Sequence, residues 1–518
     1  MEELRSLARN DVFILGAGFS KAVAENFPLA ADLLEPIRTQ LGDQLGAAVQ
    51  PRGGEGFEQW LSRLAEDQPY LPSDANLERA AAFQRVSKAV SKILTDHENT
   101  ALANPEPEWL AKLIATWHVR QATVISFNYD NLVEAAVLSQ VLVVQGDHQF
   151  DSRVTVPDIL RGLPPLPSRL MSEESPTHVG PSFDQTFRLL KLHGSISWFW
   201  DDGDNGGATL QRWPYIGQFL QPRGDQTEDI ARQFPGRVPF IAPPSATKSK
   251  YLGNRVLRDF WREALYALQN AENIYFLGYS VPPQDQAAMG LIIEGICDRT
   301  PSPTITVVDK CPAKVIENLA NLLIPSNEDD RQSNDGDQAK RRIGRLKDSY
   351  EIHNYGTEQA LATFADNYVH ELTGVVASNL TALAKTLKPL ERTEVFETGE
   401  ECLIVGQLSL STISTPRGYD RMDCDSVAVD DEGILAIPLG PSGGNIDPLA
   451  ISKLMSKLLS ADVKKLIVHL TDRNGCEHDF PIIGYQLKPV DESSPGQEHY
   501  SLTLIPMAID QLSEAKVI

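Results

Sequence analysis

Residues 124–132 combine the composition of a buried strand with side chains able to do chemistry. A β-branched, apolar start gives way abruptly to Asn128, Asp130 and Asn131. Parallel sheets bind ligands at the carboxyl ends of their strands, so these polar groups are expected on the floor of a binding site. An acid at this position can also cap the following helix, and Asn131 is expected to be structural.

A second polar group follows the apolar run 187–192. His193 stands directly after that run and before Gly194. A histidine in a core is more often a hydrogen-bonded structural residue than a catalytic one. Its position at the carboxyl end of a predicted strand favours the functional interpretation, in which His193 acts as a base.

A glycine turn follows the apolar run 11–15 and consists of Gly16, Ala17, Gly18, Phe19 and Ser20. A strand, a glycine turn and a helix start present backbone N–H groups that suit a pyrophosphate. Gly16 would allow the tight turn, and Gly18 the close approach of a ligand. Lys21 stands where the usual dinucleotide fingerprint has a third glycine, so a plain strand-to-helix turn remains an alternative.

Two later apolar runs end in the same way. Residues 273–277 lead into Gly278 and Ser280, and residues 304–308 end at Asp309. Asp309 is a candidate for contact with a ribose or an adenine because it terminates a strand. A helix cap or a solvated turn acid is an equally good interpretation of this residue.

These strand ends belong to a regular alternation of apolar runs and helix-like segments. Such an alternation predicts an α/β fold with a parallel, doubly wound sheet. Residues 57–118 have helical spacing and predict a helical layer inserted after the first strand, with Trp109 and Trp117 as core residues. The polar stretch 328–342 is expected to be a loop, and the first domain is expected to span residues 1–374.

The remaining residues, 375–518, change character. Several short strand-like runs surround one helix-like segment at 448–459, and Asn474-Gly475 is a hairpin signal. We expect a C-terminal α+β domain with no cluster of catalytic residue types, serving as a sensor, partner-binding or assembly domain.

Composition excludes several classes of protein. The net charge of −23 opposes binding to nucleic acid or an anionic membrane. No segment approaches the ~20 apolar residues of a membrane span, and the acidic start lacks the apolar core of a secretion signal, so a cytoplasmic protein is expected. Five widely spaced cysteines form no Cys-x-x-Cys pair, so neither a disulfide framework nor a metal site is expected.

The motifs support a family resemblance when they are taken in chain order. Residues 16–20, residues 127–132 (Phe-Asn-Tyr-Asp-Asn-Leu) and residues 192–195 (Leu-His-Gly-Ser) resemble the sirtuin motifs. They are similar in particular to the divergent bacterial branch of sirtuin-like, NAD-hydrolysing antiphage effectors. Residues 243–248 and the run from Gly278 to Asp285 look like further marks of that branch, and the likeness spans about residues 10–372.

The resemblance implies a Rossmann-like sirtuin core and NAD as the substrate. By resemblance, Gly16, Ala17, Gly18 and Ser20 would hold the NAD phosphates, and Asn128 would lie beside the nicotinamide ribose. Asp130 would contact the nicotinamide carboxamide, and His193 would be the general base. Phe19, Gly278, Ser280 and Asp309 complete the expected NAD-binding set.

The implied reaction is cleavage of the nicotinamide–ribose bond to give nicotinamide and ADP-ribose during abortive infection. Homo-oligomerisation and activation by a partner, such as an ATPase or a short Argonaute, are expected because a constitutive NADase would kill its host. Two alternatives stay open: an NAD-dependent protein deacylase and a non-catalytic nucleotide-binding subunit. Sirtuin deacylases have four zinc-binding cysteines, and the absence of Cys-x-x-Cys pairs weakens the deacylase alternative.

Overall fold

The computed structural model describes residues 10–368 apart from short gaps, and after residue 388 it describes only strands between 389 and 506. The gaps in the first range are 66, 140–141, 145–151, 161–163, 165, 167–185, 202–203, 205, 243–250, 252, 298 and 326–334. The expected boundary at residue 374 and the helix expected at 448–459 lie outside the described residues.

The first range contains strands and helices in alternation. The strands are β1 Asp11–Leu15, β2 Thr123–Ser126, β3 Val143–Val144, β4 Ser152–Arg153, β5 Arg188–Lys191, β6 Gly194–Trp200, β7 Gln211–Arg212, β8 Val238–Ile241, β9 Asn273–Leu277, β10 Thr304–Val308 and β11 Ile352–Tyr355. The helices are α1 Ala17–Val23, α2 Leu34–Leu41, α3 Phe57–Ala65, α4 Ser73–Leu102, α5 Glu108–Arg120, α6 Leu132–Ser139, α7 Val156–Ile159, α8 Thr227–Gln233, α9 Arg255–Asn270, α10 Gln286–Ile296, α11 Pro312–Leu323 and α12 Asp335–Ser349. Two 3-10 turns, Ala30–Leu33 and Gly42–Gln44, flank α2.

A six-stranded sheet forms the centre of this range, and its strands lie in the order β11-β10-β9-β1-β2-β5. All five pairings are parallel. The chain first builds outward from β1 through β2 to β5, and then from β9 through β10 to β11. The direction of winding therefore reverses between β1 and β9, which confirms the doubly wound α/β fold. Ligands bind at such a switch point.

The central strands are buried along their whole length because helices cover the sheet. Every residue of β1 and β2 is buried. Continuous apolar runs, rather than alternating ones, are typical of parallel strands covered on both faces. Phe13 of β1 packs against Trp117 of α5 with ring centroids 5.2 Å apart.

Five helices lie between β1 and β2 in the described part of the chain, and three of them, α3, α4 and α5, occupy the residues for which the sequence predicts a helical layer. Helix α4 is 30 residues long, and its buried face includes Val86, Val90 and Leu94. Trp109 and Trp117 of α5 contact Phe19, as expected of core aromatic residues. The layer thus packs directly on the glycine turn after β1.

A small antiparallel sheet of β7, β6 and β8 follows β5 directly. Gly194 begins β6 with a φ of +80°, and a Cβ there would lie 2.1 Å from the Phe240 carbonyl oxygen. Only glycine accepts this conformation without strain, so the chain turns sharply after His193. The histidine is thereby held between the two sheets.

One element differs from the expectation. Residues 335–349 form α12, although part of this stretch was predicted to be loop. Its polar composition suits a surface helix packed through few apolar residues, among them the buried Leu346. The low hydrophobicity of this stretch led to the loop prediction, although the helix is stabilised by packing of its few apolar residues.

The described strands after residue 388 form one antiparallel sheet in the order β12-β13-β16-β17-β20-β19-β18-β14-β15. They are β12 Pro389–Val395, β13 Glu401–Val405, β14 Leu408–Thr415, β15 Gly418–Cys424, β16 Ala428–Val429, β17 Leu435–Leu439, β18 Lys465–Thr471, β19 Glu477–Pro489 and β20 Tyr500–Pro506. Within the ranges that the structure describes, no helix is both long and apolar enough to cross a membrane.

Candidate active site

A cavity of about 1350 Å³ opens at the carboxyl ends of the central strands. The segments after all six strands, β1, β2, β5, β9, β10 and β11, line it, together with α3 and the 3-10 turn Ala30–Leu33. Most of the predicted site residues meet here, namely Gly16, Ala17, Gly18, Ser20, Asn128, Asp130, His193, Gly278, Ser280 and Asp309. Phe19 is the exception, because its side chain is buried against Trp109 and Trp117.

Asn128 is held in one orientation by the turn after β1. Its Nδ2 donates to the Gly16 carbonyl and to Ser20 Oγ, both at 2.9 Å. A carbonyl can only accept, so the nitrogen of the amide must face Gly16 and the oxygen must face the other way. No described residue donates to Oδ1 of Asn128, so that oxygen is the side-chain atom left for a ligand or a water.

Asp130 stabilises the orientation of Asn128 through Ser20. Its Oδ2 accepts from Ser20 Oγ at 2.6 Å, and its Oδ1 accepts from the Leu132 N–H at 3.2 Å. Ser20 thus donates to Asp130 and accepts from Asn128. Both oxygens of Asp130 are engaged, one in orienting Ser20 and the other at the start of α6.

The loop that contains Asn128 and Asp130 rests on a buried ionic network. Lys191, only 1% exposed, donates to the Asp130 carbonyl and to Glu134 Oε1. Glu98 of α4 accepts from the Asn131 N–H at 2.6 Å. Asn131 is therefore structural, as the sequence predicts, and it ties the loop to the helical layer.

The glycines of the two central turns pack against each other. A Cβ on Gly16 would lie 2.6 Å from the Gly278 carbonyl oxygen, and one on Gly278, whose φ is +58°, would lie 2.2 Å from the Phe19 nitrogen. Gly18 donates its N–H to Gly278, and Phe19 donates to Gly16. The Gly18 N–H is engaged by the turn after β9 and the Phe19 N–H by the carbonyl of Gly16 within its own turn, so neither group is left for a phosphate.

His193 lies in an aromatic pocket and faces a carboxylate. Its ring is 4.9 Å from that of Phe127, which stacks on Tyr279 at 4.7 Å. Its Nε2 is 3.0 Å from Oδ2 of Asp285, and both side chains are buried. The sequence marked Asp285 only through the family resemblance and did not place it beside His193.

Burial raises the pKa of the two phenols that line this end of the cavity. Tyr129 and Tyr279 both have a pKa well above the ordinary value, chiefly through desolvation and then through the charges of Asp285 and Glu58. Tyr129 donates its hydroxyl to the Ala242 carbonyl at 2.6 Å. Both phenols therefore stay neutral, and the carboxylates provide the negative charge here.

Glu58 is a lining residue that sequence reasoning missed. It stands in the first turn of α3 and reaches the cavity from the helical layer. Nothing in its local sequence distinguishes it from a solvated helical glutamate. Only the packing of α3 over the carboxyl ends of the strands brings it to the site.

The opposite end of the cavity is more exposed. Asp309 accepts from the Cys311 N–H at 2.8 Å in the turn that precedes α11, and it lines the cavity. Cys311 is the N-cap residue of α11, so Asp309 is a turn acid and does not cap the helix. Lys310 beside it forms an ion pair with Glu358. Ser280 uses its carbonyl to accept from Asn318.

Within the described residues, no group of three or more histidine, cysteine, aspartate or glutamate side chains could hold a metal ion.

Comparisons with known proteins give low similarities. No protein-family model matches the chain, and no curated protein matches it. A Sir2 enzyme solved for the mechanism and regulation of this class is 11% identical with a TM-score of 0.30, over 72% of this chain and 98% of that chain. Sir2 with a p53 peptide and NAD+ is 13% identical with a TM-score of 0.29, over 72% and 99%. The function is therefore inferred from the side chains of the cavity.

Proposed function

We propose that this protein hydrolyses NAD+ at the bond between nicotinamide and ribose. The observation that supports this most directly is the convergence of Asn128 and His193 on one cavity at the switch point of the sheet. Its volume of about 1350 Å³ exceeds the ~300–1,000 Å³ usual for small ligands, which suits a dinucleotide. The motif resemblance supplies NAD as the ligand.

The reaction builds positive charge on the ribose as nicotinamide leaves as a neutral molecule. The oriented Oδ1 of Asn128 would stabilise that charge and hold a water beside it. His193 would accept a proton from the water while the water oxygen bonds to the ribose carbon. No general acid is required, because nicotinamide departs with its electron pair and without a proton.

Asp130 has a positioning role in this proposal. The family resemblance implies contact with the nicotinamide carboxamide, and each of its oxygens already accepts one hydrogen bond, from Ser20 and from the Leu132 N–H. Its effect would reach the substrate through Ser20 and Asn128. Ser20 would act in the same way, because its single donated hydrogen is used on Asp130.

Incubation of the full-length protein with NAD+ tests the proposal, with nicotinamide and ADP-ribose as the measured products. Asn128→Ala and His193→Ala are expected to lower kcat by about 10²–10⁴-fold, because each removes a group that acts in the transition state. Asn270→Ala and His353→Ala are matched controls on exposed surfaces outside the cavity lining. Turnover by the two cavity variants equal to wild type would exclude the assignment of these residues.

The same assay separates the alternatives. A deacylase would consume NAD+ only with an acyl-lysine peptide present and would release an acylated ADP-ribose. A non-catalytic subunit would bind NAD+ and form no product under any activating condition.

The antiphage role belongs to the same proposal and is supported by the motif resemblance. We expect the protein to be inactive until a trigger or partner acts. Its activity would be restrained by homo-oligomerisation, or by a defence partner such as an ATPase or a short Argonaute. Loss of cellular NAD+ after phage infection, in cells with the wild-type chain and not with His193→Ala, tests it. Unchanged NAD+ under infection would refute this role.

A further inference from the structure

Asp285 joins two parts of the site that are far apart in the chain. It is the N-cap of α10, where its Oδ1 accepts from the Ala288 N–H at 3.3 Å. Its Oδ2 lies 3.0 Å from Nε2 of His193, which follows β5. One oxygen is fixed by a helix start and the other is directed at the imidazole, so the carboxylate is held rigidly against the ring.

This contact determines which nitrogen of His193 can act as a base. A carboxylate only accepts, so Nε2 bears the hydrogen, and Nδ1 of the neutral ring has the lone pair. A proton that arrives at Nδ1 creates an imidazolium beside Asp285. Because both side chains are buried, the attraction between the two charges is stronger than it would be in water.

The groups around the ring are compatible with this arrangement. Tyr129 from the loop after β2 and Tyr279 from the turn after β9 are neutral, since burial raises the pKa of both. Glu58 of α3 and Asp285 at the start of α10 supply negative charge near both phenols. Tyr251 lies near Tyr129. The negative charges of Asp285 and Glu58 favour the protonated form of the His193 ring.

We propose that Asp285 is a positioning residue for His193, which it holds with Nδ1 as the nitrogen that accepts the proton. The proposal rests on the proposed NAD+ hydrolysis. The bond between the ribose carbon and nicotinamide breaks, nicotinamide leaves with the electron pair, and water oxygen bonds to that carbon. The water proton passes to Nδ1 and then to solvent, which restores the neutral ring.

Asp285→Asn in the full-length protein tests the proposal, because asparagine keeps the size and an oxygen for the cap but loses the charge. We expect kcat for NAD+ hydrolysis to fall by about 10²-fold or more, with KM changed by less than about threefold. The acidic limb of the kcat profile should move to lower pH, since the imidazolium loses its partner. Asp285→Ser keeps a helix cap and should show the same changes, while Asp285→Glu should recover part of kcat.

Asp158→Asn is the matched control, because Asp158 also caps a helix start but does not line the cavity. Titration of the His193 ring by NMR, assigned with His193→Ala, gives a readout independent of turnover. The ring should lose its proton at lower pH in Asp285→Asn than in wild type. If wild type shows no hydrolysis, the proposed function fails while this titration still reports on the pair. An unchanged titration, an unchanged acidic limb or faster turnover in Asp285→Asn would overturn the proposal.

Discussion

At the scale of single residues, the site depends on a short chain of hydrogen bonds that leads from Asp130 through Ser20 to Asn128. Each member has one geometry that satisfies its neighbours, so the Asn128 amide is oriented before any substrate arrives. Preorganised dipoles of this kind stabilise a transition state without the cost of reorientation. His193 is held in the same manner from the other side by Asp285.

Gly278 makes the most demanding backbone contact of the site. Gly278→Ala should destabilise the protein by about 1–3 kcal/mol or more, because its positive φ and the 2.2 Å approach to the Phe19 nitrogen leave no room for a methyl group. Urea unfolding measures this change. Gly290→Ala is the control, since α10 leaves open space there and alanine should be neutral or stabilising. Equal midpoints for Gly278→Ala and wild type would show that the two turns can separate.

At the scale of elements, the helical layer does more than cover the sheet. Helix α4 reaches the loop that contains Asn128 and Asp130 through Glu98, which accepts from the Asn131 N–H and lies 3.6 Å from Arg223. Helix α3 supplies Glu58 to the cavity. A movement of either helix would therefore change the site, so under the proposed function this layer is where we expect a trigger to act.

The charge of Glu98 gives a test of this link. Burial raises the pKa of Glu98 above its ordinary value of 4.5, and this effect outweighs the opposing effect of Arg223. The folded state then holds the proton more tightly than the unfolded chain, so this group lowers stability as the pH rises from 4.5 toward the folded pKa. Glu98→Gln keeps an acceptor for Asn131 and removes the titration.

We therefore expect the melting temperature of Glu98→Gln, relative to wild type, to increase as the pH is raised from about 4.5 to about 7.5. Glu35→Gln on the exposed face of α2 should show a much weaker trend. Calorimetry at several pH values measures the melting temperatures of both variants and of wild type. A relative melting temperature that falls with pH would mean that the ion pair with Arg223 outweighs burial.

At the scale of the whole molecule, binding of the proposed nucleotide should stabilise the fold, because the segments after all six central strands line the cavity. ADP-ribose at about 100 times its Kd should raise the free energy of unfolding by ~2.7 kcal/mol. Thermal unfolding of His193→Ala, which leaves NAD+ intact in this proposal, should show the same effect with NAD+ itself. Nicotinamide alone should give a smaller shift, and no shift with ADP-ribose would contradict NAD binding at this site.

Much of this architecture was predictable because local patterns encode it. The apolar runs ending in Asn128, His193, Gly278 and Asp309 predicted parallel strands, and the carboxyl ends of parallel strands necessarily share one edge. Prediction from the sequence was weaker for features that depend on packing between distant parts of the chain. Part of the polar helix α12 was predicted to be a loop. The sequence also did not predict that the glycines of the turn after β1 pack against the turn after β9, and phosphate binding by this turn stays a prediction.

The sequence by itself determined the fold class and the residue types that reach the cavity, since strand ends and periodicity are local properties of the chain. Only the tertiary structure decided which of these groups act together. Ser20 and Asp130 are 110 residues apart, and Asp285 meets His193 from the far side of the switch point. Hydrogen bonds between distant side chains depend on how the strands are ordered in the sheet, and no local pattern specifies that order.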